Sequence, residues 1–192
     1  MNHKLILLFI ILIFSFSCSK EEVEISKPAS KEKAFDIYQE AVEAMDNGEY
    51  FFAAGKFKDA EEIMPKIELA AKSSVMASYC LYLINFYGEA DLYLKRFIKR
   101  YPVDKNIPYV HYLIAINSYE QILDEKKDIS PLLETKKKMN FYLKEFPDTE
   151  YALDLRFKLD LINNQLAAKE MYVAKYYIKS QKWIPAINRL KL

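Results

Sequence analysis

The sequence predicts an all-α solenoid of helix hairpins, and three observations carry that prediction. Only 3 of 192 residues are Gly, so material for β-hairpin turns and phosphate-cradling loops is scarce. Hydrophobic residues make up 52% and charged residues 29%, enough to pack a core and too apolar for a disordered chain. Third, Gly48, Tyr50, Ala53, Phe57, Ala60 and Pro65 recur 37 residues later as Asn85, Tyr87, Ala90, Leu94, Phe97 and Pro102. Gln181, Trp183, Ala186 and Leu190 open the same row again.

The chain starts with a short basic stretch at 1–4 and an unbroken apolar run at 5–14. That run is shorter than the ~20 residues of a membrane-spanning helix and has the length of a signal-peptide core. Residues 1–17 are therefore expected to be a signal peptide. Small Ser15 and Ser17 lead to Cys18. A cysteine in that place resembles the lipobox of bacterial lipoproteins, which implies acylation of Cys18. Ser17 fits the small position, while Ser15 stands where the family usually has Leu. A plain secretory signal with an incidental cysteine is the alternative. By the same resemblance, Ser19 after Cys18 implies export to the outer membrane. Residues 18–30 ("CSKEEVEISKPAS") read as a lipidated N-terminus and flexible tether.

Residues 31–192 read as one repeat domain. The row of turn residue, aromatic, Ala, bulky apolar, packing residue and Pro resembles the second half of a tetratricopeptide (TPR) repeat. Ala at the fourth place of helix B lets two helices approach closely, and Pro beyond the last turn stops the helix. Helix A should carry a small residue at its eighth position, where Ala41, Ser78, Ala115 and Ala174 fall. The expected repeats are 34–65, 71–102, 108–147 and an incomplete 167–192. The third runs 45 residues between prolines, which assigns an insertion to 124–130. Residues 149–180 contain neither Pro nor Gly and predict one long or bent helix leading into the fourth repeat. That repeat reaches Leu192 within helix B, so either the sequence is a fragment or a partner covers that end.

Composition bounds function. Net charge is +1, from 28 basic and 27 acidic residues, which argues against a nucleic-acid binder that works by phosphate neutralisation. The two cysteines, Cys18 and Cys80, are too few for a disulfide framework; Cys80 reads as an inert core residue. His3 lies in the leader, and His111 has no ligand partner at metal spacing. No metal or cofactor is expected, and no catalytic motif occurs. The run Lys136, Lys137 and Lys138 reads as a solvated helix face.

The signal, the lipid-type Cys18 and "RFIKRYP" at 96–102 go beyond a generic repeat protein. So do Phe146-Pro147-Asp148-Thr149-Glu150-Tyr151-Ala152, Leu166-Ala167, Glu170, Val173-Ala174, Tyr176-Tyr177, Trp183, Ala186 and Asn188-Arg189. Across 31–192 the chain resembles the BamD family of outer-membrane assembly lipoproteins. The resemblance implies a non-enzymatic periplasmic scaffold, lipid-anchored to the outer membrane, whose partners are a BamA-type barrel protein and other Bam lipoproteins. It also implies that the N-terminal repeats receive the C-terminal segments of unfolded outer-membrane proteins. A periplasmic TPR adaptor lipoprotein for cell-envelope or peptidoglycan machinery is the alternative.

In a TPR solenoid the concave groove is lined by helix-A positions two, five, nine and twelve. These are Phe35, Tyr38, Val42 and Met45; then Lys72, Val75, Tyr79 and Tyr82; then Tyr109, Tyr112, Ile116 and Tyr119. The aromatic members Phe35, Tyr38, Tyr79, Tyr82, Tyr109, Tyr112 and Tyr119 suit an extended segment with alternating aromatic residues. Packing between adjacent helices is the competing role for each ring. Tyr176, Lys182, Asn188 and Arg189 form a second patch, read as the BamA-type contact, with Arg189 able to fork onto a partner carboxylate. Tyr177 and Trp183 fall at core positions.

Overall fold

The computed structural model describes residues 28–122 and 128–191. Among them are eight α-helices and no strands: α1 (Pro28–Asp46), α2 (Tyr50–Ile63), α3 (Ile67–Leu83), α4 (Tyr87–Arg100), α5 (Ile107–Glu120), α6 (Ser130–Glu145), α7 (Glu150–Lys179) and α8 (Trp183–Leu190). Each helix packs on the next in the chain, and α3 also touches α5, and α5 touches α7. Sequential hairpins with first helices stacked on first helices make a TPR-like helical repeat fold. The leader, Cys18 and most of the expected tether lie outside the described residues. α1 begins at Pro28, inside the stretch read as tether, because proline's fixed φ suits a first helical turn. Most of the 124–130 insertion also lies outside the described residues.

The three turn residues of the repeating row share one geometry. Gly48, Asn85 and Gln181 have φ of 80°, 62° and 55°. Their amides donate to Met45, Tyr82 and Ile178 carbonyls at 3.0, 2.9 and 2.9 Å, and the following amides reach back to Ala44, Leu81 and Tyr177 at 2.8, 3.0 and 2.9 Å. This left-handed closure satisfies the last carbonyls of each first helix and reverses the chain. Pro65, Pro102 and Pro147 follow α2, α4 and α6, where the helices stop.

Small residues lie where helices meet. Ala41, Ser78, Ala115 and Ala174 are buried, as are Ala53, Ala90 and Ala186 of the second helices. Phe57, Leu94 and Phe97 fill the space between these close approaches. Cys80 is fully buried in the cluster of α1 to α4, and desolvation pushes its thiol up to about 11.

One buried acid ties the first two repeats together. Glu61 of α2 accepts from Arg96, from Arg100 at 3.2 Å and from the Tyr101 hydroxyl at 3.0 Å. A carboxylate with no solvent access needs such partners to offset its lost hydration. Burial, and after it the contact with Glu61, pushes the Tyr101 hydroxyl up to about 12.

α7 is a continuous 30-residue helix. Of its apolar residues, Leu155 and Ile162 are buried, whereas Leu153 and Phe157 are 74% and 64% exposed. Trp183 departs from the sequence expectation as well: it is 59% exposed. Among the described residues α8 packs chiefly on α7, where Ala174 and Ala186 are buried, and no further helix covers the ring at its first position. Tyr177 is half-buried.

Candidate functional site

The helix-A register brings most of the expected rings to one side of the core. Tyr38, Tyr79, Tyr109 and Tyr112 all pack, half-buried, against the cluster shared by α1 to α5. Tyr82, Tyr112 and Tyr119 pack against the cluster of α5, α6 and α7. Tyr79 stacks on Tyr82 at 6.3 Å between centroids, and Tyr109 on Tyr112 at 6.2 Å. These pairs sit at positions nine and twelve of one helix and two and five of the next, so adjacent repeats continue a single belt. Tyr79 and Tyr82 both influence Tyr109 electrostatically, the second repeat facing the third.

The N-terminal part of the belt is more open. Phe35 is exposed. Tyr38 meets Phe57 edge-on at 5.5 Å, and the Lys72 ammonium lies 5.7 Å from its centroid. Two positions proposed to line the groove do not. Val75 and Ile116 are buried, because the helix-A stripe is wide enough for its inner edge to enter the core.

The third wall comes from the start of α7 and was missed from sequence. Tyr151 stacks on Tyr112 at 4.6 Å and tilts against Tyr109 at 5.4 Å. Tyr112 donates its hydroxyl to Asp154 Oδ2 at 3.0 Å. Lys158 donates to Asp154 Oδ1 at 2.9 Å, with its ammonium 5.6 Å from the Tyr119 centroid. Counting helix-A positions from Glu150 gives Tyr151, Asp154 and Lys158 at two, five and nine, the same register as the earlier repeats. Phe157 at the eighth place, where the others have Ala or Ser, concealed it.

Burial sets the protonation of this site. Desolvation pushes Tyr109 up to about 12 and raises Tyr82 and Tyr151 too. Tyr112 is raised by burial first and then by its bond to Asp154. The rings therefore present neutral hydroxyl donors and apolar faces at neutral pH, beside one Asp–Lys pair. Such a surface can bind acceptor-rich and aromatic groups by stacking and hydrogen bonding. His111 stands apart, its ring 5.1 Å from Phe141 and 5.6 Å from Phe146, and burial lowers its pKa.

The second patch is less coherent. Tyr176 is exposed and meets Tyr177 edge-on at 5.8 Å. Lys182 and Asn188 are exposed in the last turn and in α8. Arg189 donates to Glu170 of α7 at 3.2 Å, so its first carboxylate partner is within its own chain. This ion pair borders a cavity of about 500 Å³ also lined by Leu133, Leu166 and Met171.

A family model described as YfiO, outer membrane lipoprotein, matches residues 30–192. Proteins named outer membrane protein assembly factor BamD are similar to this chain. The one from Caulobacter vibrioides is 34% identical over 155 residues, covering 81% of this chain and 51% of its own length. The one from Rickettsia prowazekii is also 34% identical over 155 residues, with 81% and 62% covered. The one from Neisseria gonorrhoeae is 25% identical over 181 residues, covering 89% and 67%. The chain thus spans about half of the first relative and less than two thirds of the second.

Proposed function

Because this chain belongs to the YfiO family of outer membrane lipoproteins, we propose that it is a non-enzymatic scaffold of the outer-membrane β-barrel assembly machinery. In this reading Cys18 carries the lipid that anchors it at the periplasmic face of the outer membrane. Among the described residues no helix is long and apolar enough to cross a membrane. The tyrosine groove receives unfolded outer-membrane protein segments, and the α7–α8 region meets a BamA-type barrel protein.

The continuous belt of Tyr79, Tyr82, Tyr109, Tyr112 and Tyr151 is the observation that carries the substrate part. Barrel strands alternate lipid-facing and lumen-facing side chains. An extended segment therefore offers a row of aromatic and apolar groups on one face and backbone acceptors along its length. Half-buried tyrosines with neutral hydroxyls match both. Phe35, Tyr38 and Tyr119 extend the row at its two ends.

Affinity purification of the full chain from its native membranes, with partners identified by mass spectrometry, tests this role. Stoichiometric recovery of a BamA-type barrel is the expected result. A complex containing peptidoglycan-directed enzymes and no barrel protein would replace the assembly reading with the adaptor one.

A further inference from the structure

We propose that the cavity bounded by α6, α7 and α8 is a phospholipid site, which takes an acyl chain of an anionic lipid and holds its phosphate between Lys136 and Arg189. It rests on the reading above only for the membrane that supplies the lipid. α6 and α8 both pack on α7, and the space left between them is a cavity of about 500 Å³. That size is within the ~300–1,000 Å³ usual for small-ligand sites.

The walls are aliphatic. Leu133 of α6, Leu166 and Met171 of α7 and Leu190 of α8 line the cavity, and three of them, Leu133, Met171 and Leu190, are about half exposed. The chain has 15 Tyr and 12 Phe, yet among the described residues no ring lines this space. The side chains that anchor one protein in a pocket of another are enriched in Trp, Tyr and Arg, and rings gain most from an aromatic wall. Flexible leucine and methionine side chains instead adapt to a methylene chain, whose transfer from water is favourable along its whole length.

The charges around the cavity select the headgroup. Lys136, Lys169 and Arg189 line it against one acid, Glu170. Lys136 is half-buried and, among the described residues, has no ion-pair partner. Lys169 acts electrostatically on Asp128, so it adds to the positive field while already engaged. Arg189 donates to Glu170 at 3.2 Å, and a guanidinium has five N–H groups to give. A phosphate monoanion can accept from Lys136 and from the rest of the Arg189 fork, and such charge-assisted bonds are the strong ones. A zwitterionic headgroup brings the same phosphate together with a cation that the three bases repel.

The test titrates the full chain with short-chain phosphatidylglycerol and phosphatidylcholine, each below its micellar concentration, and with glycerol 3-phosphate, by isothermal calorimetry. Phosphatidylglycerol should bind about tenfold more tightly than phosphatidylcholine, the margin of one charge-assisted bond, and glycerol 3-phosphate alone should not bind measurably. Lys136→Met should bring phosphatidylglycerol down to the phosphatidylcholine level and leave the latter unchanged. Leu133→Asp should weaken both lipids at an unchanged helix signal. Equal affinity of the two lipids overturns the proposal, as does binding of glycerol 3-phosphate as tight as that of phosphatidylglycerol, which would make the site one for a free anion. Tighter binding of a peptide of alternating Leu and Glu, in competition with the lipid, would make this a protein-docking surface and overturn the lipid assignment. None of these outcomes depends on the barrel-assembly role, which partner purification tests separately.

Discussion

Tyr112 on α5 donates its hydroxyl to Asp154 on α7 across 42 residues of sequence, at 3.0 Å. The bond joins the third repeat to the helix that follows it and fixes the floor of the groove. Around it the Tyr112 ring stacks on Tyr151 and meets Tyr142 edge-on at 6.4 Å. Tyr112→Phe keeps the ring and removes the hydroxyl. Denaturant unfolding should show a loss of about 1 kcal/mol, the net value of one such bond, with the helix signal unchanged.

The belt predicts sensitivity to alkaline pH. Tyr109 is raised from 10.0 to about 12 in the fold, and Tyr112 is raised too. A raised folded pKa means the folded state holds its proton longer, so this stability is complete below pH 10 and is lost as pH climbs toward the folded value. Unfolding free energy measured between pH 9 and 12 should fall in the wild type. The double change Tyr109→Phe and Tyr112→Phe should flatten that fall.

Glu61 is the clearest stability element. It is buried and bonded to Arg96, Arg100 and Tyr101. Glu61→Ala leaves the buried Tyr101 hydroxyl and two half-exposed guanidinium groups without their acceptor and should cost about 1–3 kcal/mol. A matched change at exposed Glu62 should stay within about 0.5 kcal/mol. Parallel thermal melts of the two variants check the contrast.

The left-handed turns give a prediction of opposite sign. Asn85 and Gln181 hold φ of 62° and 55°, where an L side chain costs roughly 1–2 kcal/mol. Gln181→Gly should therefore stabilise the α7–α8 hairpin, and Asn85→Gly should stabilise α3–α4 by less, because Asn tolerates this conformation better. Gly48→Ala has open space around the added carbon but keeps φ at 80°, so it should destabilise by about 1 kcal/mol. Chemical denaturation of the three variants orders them.

These turns were legible in the sequence because one residue at each must accept a left-handed backbone: the 37-residue offset pairs Gly48 with Asn85, and the row that reopens at Gln181 adds the third. The eighth-position residues Ala41, Ser78, Ala115 and Ala174 were legible for a similar reason, since close helix approach permits only small side chains. Glu61 was not. It stands beside Glu62 in an ordinary charged helix, and only the neighbouring repeat, which brings Arg96 and Arg100, distinguishes the buried acid from the solvated one. Asp154 and Lys158 were hidden because Phe157 breaks the small-residue rule that marks a first helix. Trp183 was misplaced because a core position is defined by the helix packed over it. The groove tyrosines lie between these cases: their register on the helix followed from spacing, and their ring contacts depended on Tyr151 arriving from α7.

The most direct test of the groove's role places a photo-activatable crosslinking residue at Tyr82, Tyr112 or Tyr119, one at a time, in cells synthesising an outer-membrane barrel protein. Exposed Leu92 on α4 serves as the control position. The account predicts adducts to the newly exported, still unfolded barrel protein from the three groove positions and none from position 92. Equal labelling at all four, or adducts only at position 92, would contradict it.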